Sequence, residues 1–265
     1  RKDFQNFHHG IDRVENRLDR IDVRLNLLAS EAQPLKHWSP VHVHLGSAHV
    51  MGRVALLEGE RLAPGDTALA QIVLDEKVGA LAGDRVILRD PSATRTMAGG
   101  TVIDPFGPPR NRRAERRLLE LAALSETDDE VMPRLLRLEG GFVELGRFGL
   151  ARNLRPAEVE KQLEAAGGEK LEGFGLLAET FAAARKDIVD TLRAFHETRA
   201  DAPGLQAERL RVQFELPSAA PVEALVDDVF FDPGEVVGAG QPVLALLQPE
   251  KATLLFYIPE AERAK

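Results

Sequence analysis

Between Pro40 and Pro105 apolar and polar residues alternate in short runs, cut at regular intervals by glycine and proline: PVHVHLGSAHVMGRVALLEG, then LAPGDTALAQIVLDEKVGALAGDRVILRDPSATRTMAGGTVIDP. Alternation puts successive side chains on opposite faces of a strand. Several such strands with turn residues between them predict a small antiparallel β-barrel. Upstream, two periods compete. Phe4, Phe7, Ile11, Val14, Leu18, Ile21, Leu25 and Leu28 follow a three-four spacing, the seam of a coiled coil, with Arg17 and Asp22 at charge-pairing positions. Ile21, Val23, Leu25 and Leu27 alternate instead with Asp22, Arg24 and Asn26, as a half-buried strand does. Both cannot hold over the same residues. The reading adopted is helix to about Arg20 and strand from Ile21 to Leu28, with residues 4–28 as a candidate oligomerising segment.

After Pro105 the period lengthens. FGPPRNRRAERR is a Pro/Gly-rich joint with a basic cluster, running into an amphipathic helix that carries Leu118, Leu119, Leu121 and Leu124. A second helix is predicted near Val131–Leu138, followed by the short apolar stretches of FVELGRFGL. A helix over Pro156–Ala166 starts on a proline suited to a first turn. KLEGFGLLAE predicts a small hairpin and Thr180–Glu197 a long helix. Beyond Val212 the texture returns to short strands: Ala224–Phe231, Val236–Val237, Val243–Leu247 and Thr253–Ile258, with glycine turns between.

Composition narrows the function classes. The chain has 265 residues and a formal charge of -8, so any nucleic-acid surface has to be local. It has no cysteine, which removes thiol catalysis, thiolate metal sites and disulfides. No apolar run is long enough to span a bilayer, and RKDFQNFHHGIDRVENRLDR has no signal-peptide character. There is no GxxxxGK[ST], HExxH or GxSxG motif. Glu158, Glu160 and Glu164 sit in a helix-surface pattern, and His196 suits a helix end. No enzyme activity and no cofactor are expected. His42 and His44 share one strand face, with His37 and His49 nearby. A metal site there competes with isolated polar strand residues, and none is expected.

GDRVILRDPSATRTMAGGTVID resembles the third domain of elongation factor Tu-like translation factors, and the whole stretch is similar to that domain of the bacterial selenocysteine-specific elongation factor family. The helical order after it, with AFHETRADAPGLQAERLR, resembles the winged-helix array that follows in that family. SAAPVEALVDDVFFDPGEVVGAGQPVLALLQPEKATLLFYIPEAERAK resembles the lipoyl-type half-motif of periplasmic adaptor proteins. The expected fold is therefore an α+β multidomain chain. It comprises a helical extension (1–20), a translation-factor type antiparallel β-barrel (21–105) and a winged helix (106–183). The truncated start of a second winged helix (184–211) and a barrel-sandwich-like β half-motif (212–265) follow. Resemblances from different compartments in one chain are read as the mark of a chimera.

The resemblance implies a non-catalytic RNA-binding fragment without its GTPase, in the cytoplasm. Its partners would be tRNA, and mRNA or the ribosome. The alternative is an oligomerising subunit of an envelope assembly. On the barrel, the segment that resembles the family's tRNA-facing strand holds Arg95, Thr96, Gly99 and Gly100, where small residues admit an RNA backbone. Arg85 and Arg89, four apart on a strand, point to one side. Arg110, Arg112, Arg113, Arg116 and Arg117 are the candidate phosphate contacts at the helix start. Their competing role is a solvated helix start balanced by Glu115 and Glu120.

Overall fold

The computed structural model describes residues 18–198, 205–214, 216 and 222. Its described part divides into two compact units, within residues 1–169 and 170–265.

The first unit is built on a closed barrel of β1 (Arg20–Leu27), β3 (Ser39–Leu45), β4 (Ala48–Leu56), β6 (Thr67–Leu74), β7 (Arg85–Arg89) and β8 (Thr96–Asp104). Their order around the barrel is β1-β6-β4-β3-β7-β8. Every pairing is antiparallel. Closure leaves no sheet edge to pair with another chain. Two short strands, β2 (Leu35–Lys36) and β5 (Arg61–Leu62), pair beside it. The alternation read from the sequence is the barrel's inside-outside code. Ile21, Val23, Leu25 and Leu27 of β1 are buried, with Val41, Val43, Ile72, Val86, Leu88 and Val102 among their neighbours in one core. That burial decides the competition in favour of a strand from Arg20. A seam carried on to Leu28 would put Ile21 and Leu25 on one stripe and leave Val23 and Leu27 off it. Residues 1–17, the rest of the expected coiled coil, lie outside the described residues.

Two strand glycines are required by close backbone approach. A Cβ on Gly52 would stand 2.7 Å from the Val73 carbonyl oxygen, and one on Gly100 would stand 2.5 Å from that of Arg24. Gly100 therefore lets β8 close against β1.

Helix α1 (Glu115–Leu124) lies on the outside of the barrel. Leu121 packs with Leu57 and Ile103, flanked by Leu69, Leu118 and Leu124. Then follow α2 (Asp128–Leu136), the two-residue β9 (Val143–Glu144), α3 (Leu145–Arg152) and α4 (Pro156–Ala165). FVELGRFGL is thus mostly helix, because Leu145, Phe148 and Gly149 fall on one buried face at helical spacing. Pro156 opens α4, and the Arg155 N–H donates to Glu158 Oε2 at 2.7 Å.

Strand β10 (Gly168–Leu171) crosses the unit boundary and turns back through Glu172 and Gly173, both at positive φ, into β11 (Phe174–Leu177). In the second unit α5 (Ala178–Thr198) follows β11 directly, and its Ile188, Val189 and Leu192 are buried. The last described helix is α6 (Ala207–Gln213). The strands expected after Val212 lie outside the described residues.

Candidate nucleic-acid interface

Because each strand alternates, register fixes what the barrel shows to its surroundings. On β7 the outward positions are Arg85, Ile87 and Arg89, between the buried Val86 and Leu88. On β1 they include Arg24 and Asn26. Pairing joins them across β8: Thr101 stands opposite both Arg85 and Arg24, and Gly99 opposite both Ile87 and Asn26. Beyond β7, Arg89 stands opposite Thr96 on one side and His42 on the other. The result is a face over β1, β8, β7 and β3 that carries Arg24, Arg85, Arg89, His42 and His44 and no exposed carboxylate, Asp22 of β1 and Asp104 of β8 being buried against Arg117. Among the described residues, Arg24, Arg85 and Arg89 form no ion pair, although Asp84 and Asp90 flank β7. Asp84 Oδ2 accepts the Leu81 N–H at 2.8 Å. Asp90 is used inside its own loop.

That loop is a built device. The Asp90 carboxylate accepts from the backbone N–H groups of Thr94 (2.7 Å) and Arg95 (2.8 Å) and from the hydroxyls of Ser92 and Thr94. The Arg95 N–H above all, then the Ser92 and Thr94 donors, holds the Asp90 carboxyl well below the ordinary aspartate range. Arg95 in turn grips the buried Glu31 through two bonds, of 3.1 and 3.0 Å. This ties Pro91–Arg95 to the segment after β1, so Arg95 reaches the surface already paired. Thr96 is exposed, and Gly99 is half-buried with no atom closer than 3.9 Å to an added Cβ. Gly100 serves barrel closure.

Three histidines crowd the edge of the same face. His42 Nδ1 lies 2.9 Å from His49 Nε2, and the His44 and His49 rings stack at 4.3 Å. Burial first, then the neighbouring His49, Arg89 and His42, pushes His44 below the usual imidazole value. Among the described residues no group of three or more His, Cys, Asp or Glu is disposed to hold a metal ion.

The basic cluster after the barrel is split by the fold. Arg117 turns inward: its Nη2 lies 2.5 Å from Asp22 Oδ2 and 2.7 Å from Asp104 Oδ2, and its Nη1 2.8 Å from Glu120 Oε2. Gln71 Nε2 donates to Asp22 Oδ1 at 2.9 Å, and Arg147 Nη2 to Asp104 Oδ2 at 3.0 Å. Burial outweighs Arg117 at Asp22 and pushes its carboxyl up. Burial acts on Asp104 too, but there Arg117 and Arg147 together win and hold it down. Arg113 donates to the Leu56 and Gly59 carbonyls, to Glu60 and to His37. Arg116 Nη2 donates to the Gly140 carbonyl at 3.2 Å. Arg112 lies over the Trp38 ring, 5.4 Å from its centroid. Arg110 is exposed and, among the described residues, forms no ion pair.

The sequence reading therefore gives one cluster where the fold makes three groups: an inward lock (Arg117), a braced pair (Arg113, Arg116) and an outer pair (Arg110, Arg112). It missed Arg24, whose alternation between Val23 and Leu25 marked it as outward. What joins it to Arg85 is the β8 register, which no local pattern carries. It also missed Trp38.

Comparison with known proteins fits this architecture. Residues 19–109 match the family described as the selenocysteine-specific elongation factor, beta-barrel domain. The barrel belongs to that family. Selenocysteine-specific elongation factors of Escherichia coli K12 and Desulfomicrobium baculatum are 36% and 32% identical over 179 and 155 residues, which is 67% and 57% of this chain. That of Haemophilus influenzae is 28% identical over 72% of the chain. A match of 179 residues is longer than everything up to residue 109, so the likeness to this translation factor runs on into the helices. The chain spans 28%, 24% and 30% of the lengths of these relatives. All three are elongation factors, and they lend the adaptor-like reading of residues 212–265 no support. No helix among the described residues is long and apolar enough to cross a membrane.

Proposed function

We propose that this chain is an RNA-contacting, non-catalytic part of a selenocysteine-specific translation elongation factor, acting in the cytoplasm. The outward face of β1, β8, β7 and β3 meets tRNA through Arg24, Arg85 and Arg89, with Thr96 and Gly99 allowing the RNA backbone to come close. Arg110 and Arg112, beside Arg116, meet RNA phosphates from the helical region, which acts as a winged helix. The likeness to selenocysteine-specific elongation factors supports the translation role. The observation that carries the contact surface is the arginine-bearing strand face, which exposes no carboxylate among the described residues of its strands, on a chain whose net charge is -8. Guanidinium groups without an intramolecular partner can exchange bound counterions for phosphates, and that exchange is what drives this kind of association.

The test is a filter-binding titration of the full chain against selenocysteine tRNA and an unrelated tRNA at low and physiological salt. Saturable binding of the first, several-fold tighter than of the second, supports the reading. No binding of either at low salt overturns it.

A further inference from the structure

A cleft of about 420 Å³ lies where the barrel meets the start of α1, lined by His37, Asn111, Arg112, Arg113 and Ala114. Its size falls within the range of small-ligand sites. Two of these lining residues meet Trp38: His37 precedes it in the chain, and Arg112 lies over its ring. The indole is 41% exposed, and its backbone has φ 67°, in the left-handed region that a bulky residue adopts only when its surroundings impose it. The surroundings do so here. The Trp38 N–H donates to the Val54 carbonyl at 2.6 Å and the His37 N–H to that of Glu60 at 2.8 Å. The ring is thus held outward by its backbone, with the Arg112 guanidinium 5.4 Å from its centroid.

The rest of the cleft is equally fixed. Arg113 is anchored on the Leu56 carbonyl at 3.0 Å and on Glu60 at 2.7 Å. His37 Nδ1 lies 2.9 Å from Arg113 Nη2. A guanidinium only donates, so Nδ1 accepts and Nε2 carries the ring proton. Glu60, the nearby carboxylate, is already used by Arg113. An aromatic plane with the Arg112 guanidinium over it is an arrangement on which a nucleobase stacks while its phosphate is neutralised.

We propose that this cleft holds one unpaired nucleotide of bound RNA, its base on Trp38 and Arg112 and its phosphate on Arg112 and Asn111. The proposal rests on the RNA-binding reading above and adds a separate subsite to it. A base inside a duplex has both faces covered, so the site selects a single-stranded or looped position.

Trp38 is the only tryptophan in the chain, so its fluorescence reports this site alone. The full chain is titrated with a five-nucleotide oligoadenylate, with a blunt RNA duplex and with inorganic phosphate. The expected result is saturable quenching by the single strand and little by the duplex. Affinity for the single strand falls roughly tenfold in Arg112→Gln and, followed by anisotropy of labelled RNA, in Trp38→Leu, whereas Trp38→Phe retains most of it. The barrel-face variant Arg24→Ala/Arg85→Ala/Arg89→Ala leaves the quenching in place. Absence of quenching, equal quenching by the duplex, or the same response to phosphate (an adventitious ion only) overturns the proposal. If tRNA still binds while quenching is absent, this subsite fails and the barrel-face reading stands. If quenching persists but tRNA does not bind, the reverse holds.

Discussion

Arg117 sits in a nearly dry pocket between Asp22, which is 0% exposed, and Asp104, with Glu120 at its outer edge. Removing one partner of such a group strands uncompensated charge. Arg117→Met is therefore expected to cost about 3–5 kcal/mol of unfolding free energy in urea denaturation, and the loss should exceed that of Arg110→Met, an exposed position, many-fold. Gly100 belongs to the same scale. Its Cβ would stand 2.5 Å from the Arg24 carbonyl oxygen, so Gly100→Ala should lower stability by about 1–3 kcal/mol. Gly99→Ala next to it, with open space, should change little. That contrast separates glycines kept for barrel closure from those free to face RNA. In sequence both belong to one small-residue surface, because a close approach between β1 and β8 leaves no local mark.

At the scale of elements, alternation made the barrel legible. Leu25 and Leu27 could be placed inside and Arg24 outside by parity, and the turns fell at glycine and proline as expected. The helices after Pro105 were legible from their longer period, within a few residues at their ends. FVELGRFGL was not, since a short apolar run suits a strand or a buried helix until its partners are known. The basic cluster was legible as chemistry but not as geometry. Arg113 and Arg117 differ in fate only through Leu56, Glu60, Asp22 and Asp104, all far away in sequence. The loop from Asp90 to Arg95 gives a pH prediction. The folded Asp90 carboxyl is held below its ordinary value, so the loop's contribution is complete above about pH 4 and is lost as pH falls below it. Hydrogen exchange at Thr94 and Arg95 should show protection that persists below about pH 4, where an ordinary aspartate protonates, and weakens only as pH falls further toward the depressed folded value. Asp90→Ala should abolish that protection at neutral pH, while the amides of Val23 and Leu25 in β1 stay protected.

On the scale of the whole molecule, the decisive contrast is between a net charge of -8 and a barrel face whose exposed strand positions hold arginines and histidines but no exposed carboxylate. Fields of that kind act at short range and weaken with salt. The central claim is that Arg24, Arg85 and Arg89 neutralise tRNA phosphates. The measurement that tests it most directly is the slope of log binding constant against log salt for selenocysteine tRNA, in the parent chain and in Arg24→Ala/Arg85→Ala/Arg89→Ala. If each arginine neutralises one phosphate, the variant binds more weakly and its slope is shallower by about 2 to 3. An unchanged slope and affinity, in a variant whose thermal unfolding matches the parent, would contradict the account.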